Sequence, residues 1–166
     1  MSDVVQIYTD GACKGNPGAG GYGVVLIAGA RKRELSGGFR KTTNNRMELL
    51  ACIEGLRSLK RPCNVVLTSD SKYVVNAMQQ GWAKKWRSRG WMLSPSKSAK
   101  NPDLWAQLLD LCEKHKVEFT WVKGHSNHPE NERCDELAVA ASAGQDLPDD
   151  EGFENTALPE GDLFSL

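Results

Sequence analysis

No stretch of this sequence approaches the roughly 20 consecutive apolar residues that a membrane-spanning helix needs, so no membrane partner is expected. The start, Met1-Ser2-Asp3-Val4, lacks a basic run followed by an apolar one, and no secretory signal is expected. Cysteine is sparse and odd in number: five residues (13, 52, 63, 112 and 134), without a CxxC pair or zinc-like Cys/His spacing. That sets aside a disulfide scaffold and a zinc module, and leaves reduced thiols in a cytoplasmic protein as the expectation. There is no internal repeat and no interior linker. What remains is 166 residues, 40% hydrophobic and 25% charged, enough for one compact globule, with a monomer as the default.

The formal net charge is zero, but the charges are unevenly placed. Residues 144–166 hold seven acids (Asp146, Asp149, Asp150, Glu151, Glu154, Glu160 and Asp162) and no Lys or Arg. The rest of the chain therefore carries an excess of seven basic side chains. A basic body with an acidic end points toward nucleic acid. We expect residues 1–143 to form the folded domain and 144–166 a poorly ordered acidic tail.

Hydrophobic periodicity gives the element order. Val4 to Tyr8, Tyr22 to Ala28 and Arg33 to Phe39 read as strands, with 15–21 as a glycine-rich loop; the short connections favour an antiparallel meander. From Thr43 the apolar residues Leu49, Cys52, Ile53, Leu56 and Leu59 recur at helical spacing until Pro62. Val65-Val66-Leu67 reads as a buried strand, and Ser71 as the cap of a helix reaching about Gln80. A helix over Leu104 to Cys112, a strand over Val117 to Val122 and a helix from Pro129 to about Ala143 follow. Strands that alternate with helices make the later strands parallel to the first, in a mixed α/β sheet.

Asp10 and Asp70 stand at the carboxyl ends of strands expected to be parallel neighbours, where open α/β sheets place ligands. Glu48 lies early in the intervening helix, and Asp135 in the last helix beside Cys134 and Leu137. Any one such acid is more often a cap or a surface charge. Several at element ends repel one another unless cations neutralise them, and hard oxygen donors suit Mg²⁺ or Mn²⁺. The run Gly18-Ala19-Gly20-Gly21-Tyr22-Gly23 matches G-x-G-x-x-G, but it opens a strand rather than a helix, which argues against dinucleotide binding. The segment 82–100 holds Lys84, Lys85, Arg87, Arg89, Lys97 and Lys100 and no acid; phosphate contact is expected of these cations. Trp82 and Trp86, four residues apart, are expected to form a small aromatic cluster, and His115 and His128 to be surface loop residues.

Five motifs, in order, carry a family resemblance: Tyr8-Thr9-Asp10-Gly11, Gly15-Asn16-Pro17-Gly18, Thr42-Thr43-Asn44-Asn45-Arg46-Met47-Glu48, Ser69-Asp70-Ser71, and Trp121 to His125 with Asn131 to Ala138. Together they strongly resemble bacterial ribonuclease HI over about residues 4–143. The resemblance implies a ribonuclease H-like five-stranded mixed sheet (three antiparallel strands, then parallel ones) with helices on both faces. It implies an endonuclease that cuts the RNA strand of RNA–DNA hybrids with two Mg²⁺ ions held by Asp10, Glu48, Asp70 and Asp135, leaving 5′-phosphate and 3′-hydroxyl ends. His125 would assist proton transfer or product release. Gly11, Cys13, Asn16, Asn44 and Asn45 would meet the minor groove, Thr43 and Asn101 a DNA phosphate, and 82–100 would be the family's basic handle. Lys72 stands where glutamine is expected, yet a lysine can still meet RNA.

Two rivals share part of this pattern. Integrase-like or Holliday-junction nucleases share the fold, but the Asn44-Asn45 pair, the His125 loop and the basic segment argue against them. A hybrid-binding module without catalysis would not need all four acids. Leu163 and Phe164, at the acidic end, loosely resemble a peptide that docks on a replication protein.

Overall fold

The computed structural model describes residues 4–124 and 127–153. Three long strands open the chain: β1 (Val4–Lys14), β2 (Gly18–Ala28) and β3 (Arg31–Thr42). Helix α1 (Asn44–Arg57) leads into β4 (Asn64–Ser69), and α2 (Lys72–Gln79) follows it. Next come α3 (Trp82–Ser88), the short strands β5 (Met92–Ser94) and β6 (Lys97–Ser98), and α4 (Pro102–Lys114). Strand β7 (Lys116–Trp121) and helix α5 (Pro129–Ser142) complete the fold.

The main sheet has the order β3-β2-β1-β4-β7. β1, β2 and β3 pair antiparallel, whereas β4 pairs parallel with both β1 and β7. This is the expected mixed sheet. Helices cover both faces, and glycine makes the close approach. A Cβ on Gly11 would lie 2.6 Å from the α1 backbone at Glu48, and one on Gly23 would lie 2.2 Å from the α5 carbonyl of Cys134. Gly23 pairs with Asp10, one residue before Gly11, so α1 and α5 sit on opposite faces. Ile7, Val24, Leu49, Ile53, Leu56 and Leu67 fill the layer on the α1 side.

Four expectations need correction. The stretch 15–21 is not all loop: β2 begins at Gly18, and glycines there read as loop because they carry little strand propensity, although the helix packing requires them. Trp86 packs edge-on to the buried Trp105 (centroids 5.6 Å apart, 74° between planes), while Trp82 is 44% exposed, so the two do not form one cluster. His115 is buried, with Nδ1 accepting a 3.1 Å bond from the Cys63 amide; the turn from α4 into β7 folds it inward. Residues 144–153 are not a detached tail either. The Arg40 amide donates to the Pro148 carbonyl at 2.8 Å, Asp149 pairs with Arg40, and Asp150 is buried against Arg46. Residues 154–166, with Leu163 and Phe164, lie outside the described residues.

Candidate active site

The parallel pairing of β1 with β4 ends at Thr9↔Ser69. The next residue on each side is an aspartate: Asp70 just beyond β4, and Asp10 within β1, which does not end there as expected but runs on to Lys14 beside β2, so the fork between the strands holds two carboxylates. Thr43 caps α1, its Oγ1 accepting from the Arg46 amide at 3.2 Å, and Glu48 follows in the second turn. Because Gly11 has no side chain, that turn lies directly on β1. Carboxylate oxygens of Asp10, Glu48 and Asp70 thereby fall within 4.8 Å of one another.

The trio is electrostatically strained. Asp10 and Glu48 are only 5% and 6% exposed. Burial, then the negative charge of Asp70, pushes the Asp10 carboxyl up to about 8, although the Gly11 amide donates to it at 2.9 Å. Burial and the charges of Asp10 and Asp70 likewise hold Glu48 well above the usual carboxylate range. Glu48 Oε1 and Asp70 Oδ1 are buried without a hydrogen-bond partner among the described residues. Buried oxygens left unpaired are costly, and a hard cation is the group that satisfies several at once. The donor set therefore fits a divalent metal. Asp135 is not in the trio; it stands half-buried on α5, close enough for its charge to raise Asp10 further.

Against this geometry, the RNase H family model matches residues 2–143. A ribonuclease H from Desulforamulus reducens is 64% identical over 144 residues, covering 87% of this chain and 91% of its own. The chain belongs to the ribonuclease H family. The resemblance read from the motifs is borne out, and the protein is an endoribonuclease of the ribonuclease H type. Among solved structures, the type 1 enzyme LC9-RNase H1 superposes with a TM-score of 0.78 at 34% identity, over 87% of this chain and 74% of that one. LC11-RNase H1, solved in complex with an RNA/DNA hybrid, gives 0.61 at 25% identity, over 82% of this chain and 95% of that one.

Around this ribonuclease H site, the residues expected to meet substrate fall into three groups. Asn16 and Asn44 are neighbours: the Asn44 amide donates to Asn16 Oδ1 at 3.2 Å, bringing the β1–β2 turn to the start of α1. Gly11 is buried beneath α1, and Cys13 is half-buried, its thiol 3.5 Å from the carbonyls of Gly18 and Thr42. Asn45, Lys72 and Asn101 line one cleft of about 420 Å³, together with Trp82, Leu93 and 97–100. On the handle, Lys84, Lys85 and Arg89 are exposed. Arg87 is committed elsewhere, paired with Asp110 of α4 and, at 3.9 Å, with Glu113. An acid-free segment gave no hint of that, because its counter-charges come from the next helix. His125 lies outside the described residues.

Two structural roles had no sequence signal. Trp121 ends β7 opposite Ser69; its Nε1 donates to the Asp70 carbonyl at 3.0 Å, and the Lys72 ammonium lies 4.9 Å from its ring centroid. A cation at the first turn of α2 opposes the helix dipole, and the indole face offsets that. The second is Arg46, a charge hidden within the Asn-Asn-Arg-Met-Glu motif. It is 2% exposed and bound by two carboxylates distant in sequence, Asp103 and Asp150.

No helix among the described residues is long and apolar enough to cross a membrane.

Proposed function

We propose that this protein hydrolyses the RNA strand of RNA–DNA hybrids, holding two Mg²⁺ ions (or Mn²⁺ in their place) on Asp10, Glu48 and Asp70, with Asp135 completing the set. The observation that carries the reading is the convergence of three carboxylates within 4.8 Å, two of them bearing buried, unpaired oxygens, in a chain of this family. Two such ions would activate a water and neutralise the departing 3′ oxygen, leaving a 5′-phosphate and a 3′-hydroxyl. The buried Asp10 and Glu48 carboxylates would hold the ions from a face shielded from bulk water. Asp10, in the fork between β1 and β4, would be one of the carboxylates that hold the ions. His125, which falls between β7 and α5 in the sequence, relays a proton or eases product release, as an imidazole can.

Hybrid recognition rests on shape and on the 2′-hydroxyl. Asn16, Asn44 and Asn45, with backbone at Gly11 and Cys13, read the minor groove beside the carboxylates. Thr43 and Asn101 hold a phosphate of the DNA strand, and Lys72 meets the RNA strand. Lys84, Lys85 and Arg89, with a smaller share from Arg87, bind phosphates along the handle. The solved hybrid complex of LC11-RNase H1 supports this substrate class. A cytoplasmic monomer is the working form, which the five free cysteines suit.

The test compares hybrid, double-stranded RNA and double-stranded DNA, each with Mg²⁺ and with chelator, and identifies product ends. Cleavage confined to the RNA of the hybrid, abolished by chelator, is expected. Cleavage of all-DNA substrates would favour the integrase-like alternative, and binding without cleavage the hybrid-binding module.

A further inference from the structure

The family match ends at residue 143, yet residues 144–153 insert a carboxylate into the interior beside the nucleic-acid cleft. Asp150 is 7% exposed. Its Oδ2 accepts from Thr42 Oγ1 at 2.6 Å and from Arg46 Nε at 2.7 Å, and its Oδ1 accepts from Arg46 Nη2 at 3.1 Å. Asp103 takes two more bonds, from Nη2 at 2.7 Å and Nη1 at 3.0 Å. The fifth goes from Nη1 to Asn101 Oδ1 at 3.2 Å. A guanidinium has five N–H donors, so Arg46 is fully used. The chain passes close to do this: a Cβ on Gly152 would lie 2.1 Å from Asp103 Oδ2 and 2.5 Å from Arg46 Nη2.

One end of the network reaches Asn101, which lines the cleft, and the other reaches the buried Thr42 at the β3–α1 corner. Asn101 holds a left-handed backbone (φ 61°), a conformation that asparagine adopts more readily than other side-chain-bearing residues. Its amide is fixed on one side by Arg46 and on the other by the Tyr73 hydroxyl at 3.1 Å, which also accepts from Trp105 Nε1 at 3.0 Å. Tyr73, Asn101 and Asn45 line the same cleft. At the other end Thr42 directly precedes the cap Thr43, and the Arg46 amide is the one that Thr43 caps.

We propose that Asp150 is a positioning residue: acting through Arg46, it sets the orientation of Asn101 for nucleic-acid binding. This rests on the hybrid-cleaving function above. A buried ion cluster is poor evidence of net stability, since desolvation offsets much of its attraction; directional restraint is what five satisfied donors provide. If Asp150 is neutralised, Arg46 Nε and one Nη2 proton lose a charged acceptor, the guanidinium swings toward Asp103, and Asn101 loses its fixed partner.

The experiment uses the full chain and four variants at a temperature where all are folded: Asp150→Asn, Asn101→Ala, the double variant, and Val5→Ala. The last is a core truncation near the opposite end of β1 that serves as a stability control. We expect Asp150→Asn to raise KM for hybrid about fivefold or more while kcat stays within about twofold, a split that isolates binding from chemistry. The double variant should raise KM no further than Asn101→Ala alone, because the two act in series. Val5→Ala should lower the melting temperature and leave KM unchanged. An Asp150→Asn that melts earlier with unaltered KM, or a double variant whose effects multiply, would overturn the proposal. The dissociation constant for hybrid in chelator reads the same positioning without cleavage. An inactive parent would therefore defeat the proposed function, and the chelator series would still decide this inference.

Discussion

Gly11 and Glu48 are in such close contact that a single added carbon on Gly11 would sit 2.6 Å from the Glu48 amide nitrogen and 2.8 Å from the Met47 carbonyl carbon. Both atoms are backbone, so no side chain can turn aside to make room. The approach lets a helix on one face deliver its carboxylate to the two aspartates that follow the last β1–β4 pair. Gly11→Ala should push the first turns of α1 outward and carry Glu48 with them. Displacement of a reacting group by an ångström can cost about 100-fold, and overpacking about 1–3 kcal/mol of stability. We expect turnover to fall more than about tenfold and the melting temperature to drop. Cleavage within about twofold of the parent would mean that α1 does not need this approach to place Glu48.

Asp10→Asn tests the trio in a different way. The substitution preserves shape but removes a charge strained by burial and by Asp70. Turnover should fall by at least about 100-fold, roughly 2.7 kcal/mol of transition-state stabilisation, with hybrid binding largely retained. In chelator the variant should melt higher than the parent at pH 8, because repulsion within the buried cluster is relieved. Glu48→Gln and Asp70→Asn should follow the same pattern. Asp135→Asn should lose less, since Asp135 stands outside the trio. Turnover of Asp10→Asn within about tenfold of the parent would remove Asp10 from the centre of the site.

Metal and proton compete for these oxygens. A carboxyl raised from 3.8 to about 8 favours its protonated form in the fold. Its contribution to the stability of the metal-free protein is complete below the unfolded value and is lost as pH rises through about 8. A divalent cation needs the ionised form, so binding releases protons and strengthens with pH. The melting-temperature increase on adding Mg²⁺ should thus be larger at pH 8.5 than at pH 6, where a saturating ligand gives about 2–4 °C per kcal/mol in a chain of this size. An increase that is equal at both pH values would show that the cation does not displace protons from this cluster.

The places where sequence and structure part company share a cause. Asp10 and Asp70 were legible because each comes just after a plain apolar run, and the parallel pairing of β1 with β4 aligns the two, although β1 itself continues to Lys14. Glu48 was legible beside the apolar face of a helix whose period is plain. The mixed sheet followed from the same periodicity. The start of β2 was not legible, because Gly18, Gly20 and Gly21 are selected by the helices that press on them rather than by strand propensity. The partners of Arg46, Arg87 and His115 were hidden because they lie 104, 23 and 52 residues away, and only the folded chain brings them together. The packing of 144–153 was missed because acidic composition reads as solvation, while a buried arginine can claim one of those acids.

The handle cations should not contribute equally to hybrid binding. Lys84, Lys85 and Arg89 are exposed, whereas Arg87 already pairs with Asp110. Each phosphate contact contributes about 0.7–0.9 to the slope of log affinity against log salt. Replacing Lys84, Lys85 and Arg89 with alanine together should flatten that slope by about 2 and raise KM at physiological salt. Arg87→Ala alone should change the slope by well under one contact. An unaltered slope in the triple variant would identify these side chains as a solvated face without substrate contact.

His115 offers a pH test that leaves the chemistry alone. It lies where α4 turns into β7, next to Lys116, which pairs with Asn64 at the start of β4; Asp70 follows the opposite end of that strand. Nδ1 accepts from the Cys63 amide at 3.1 Å, so the ring is neutral with its proton on Nε2, and Nε2 has no partner. Burial, and then the charge of Lys114, hold its pKa below the ordinary histidine value. A histidine depressed in the fold is protonated first in the unfolded chain, so its contribution to stability is present above about 6.5 and is lost as pH falls below it. Denaturant unfolding of the metal-free protein at pH 7.5 and pH 5.0 should show this loss, on top of the opposite trend from the Asp10 cluster. His115→Gln keeps an acceptor for the Cys63 amide but cannot titrate, and the stability it loses between pH 7.5 and pH 5.0 should be smaller than the parent's. Cleavage by the variant should match the parent at pH 7.5, because the residue is remote from the carboxylates. An identical pH dependence of stability in parent and variant would show that His115 does not take up a proton on unfolding in this range.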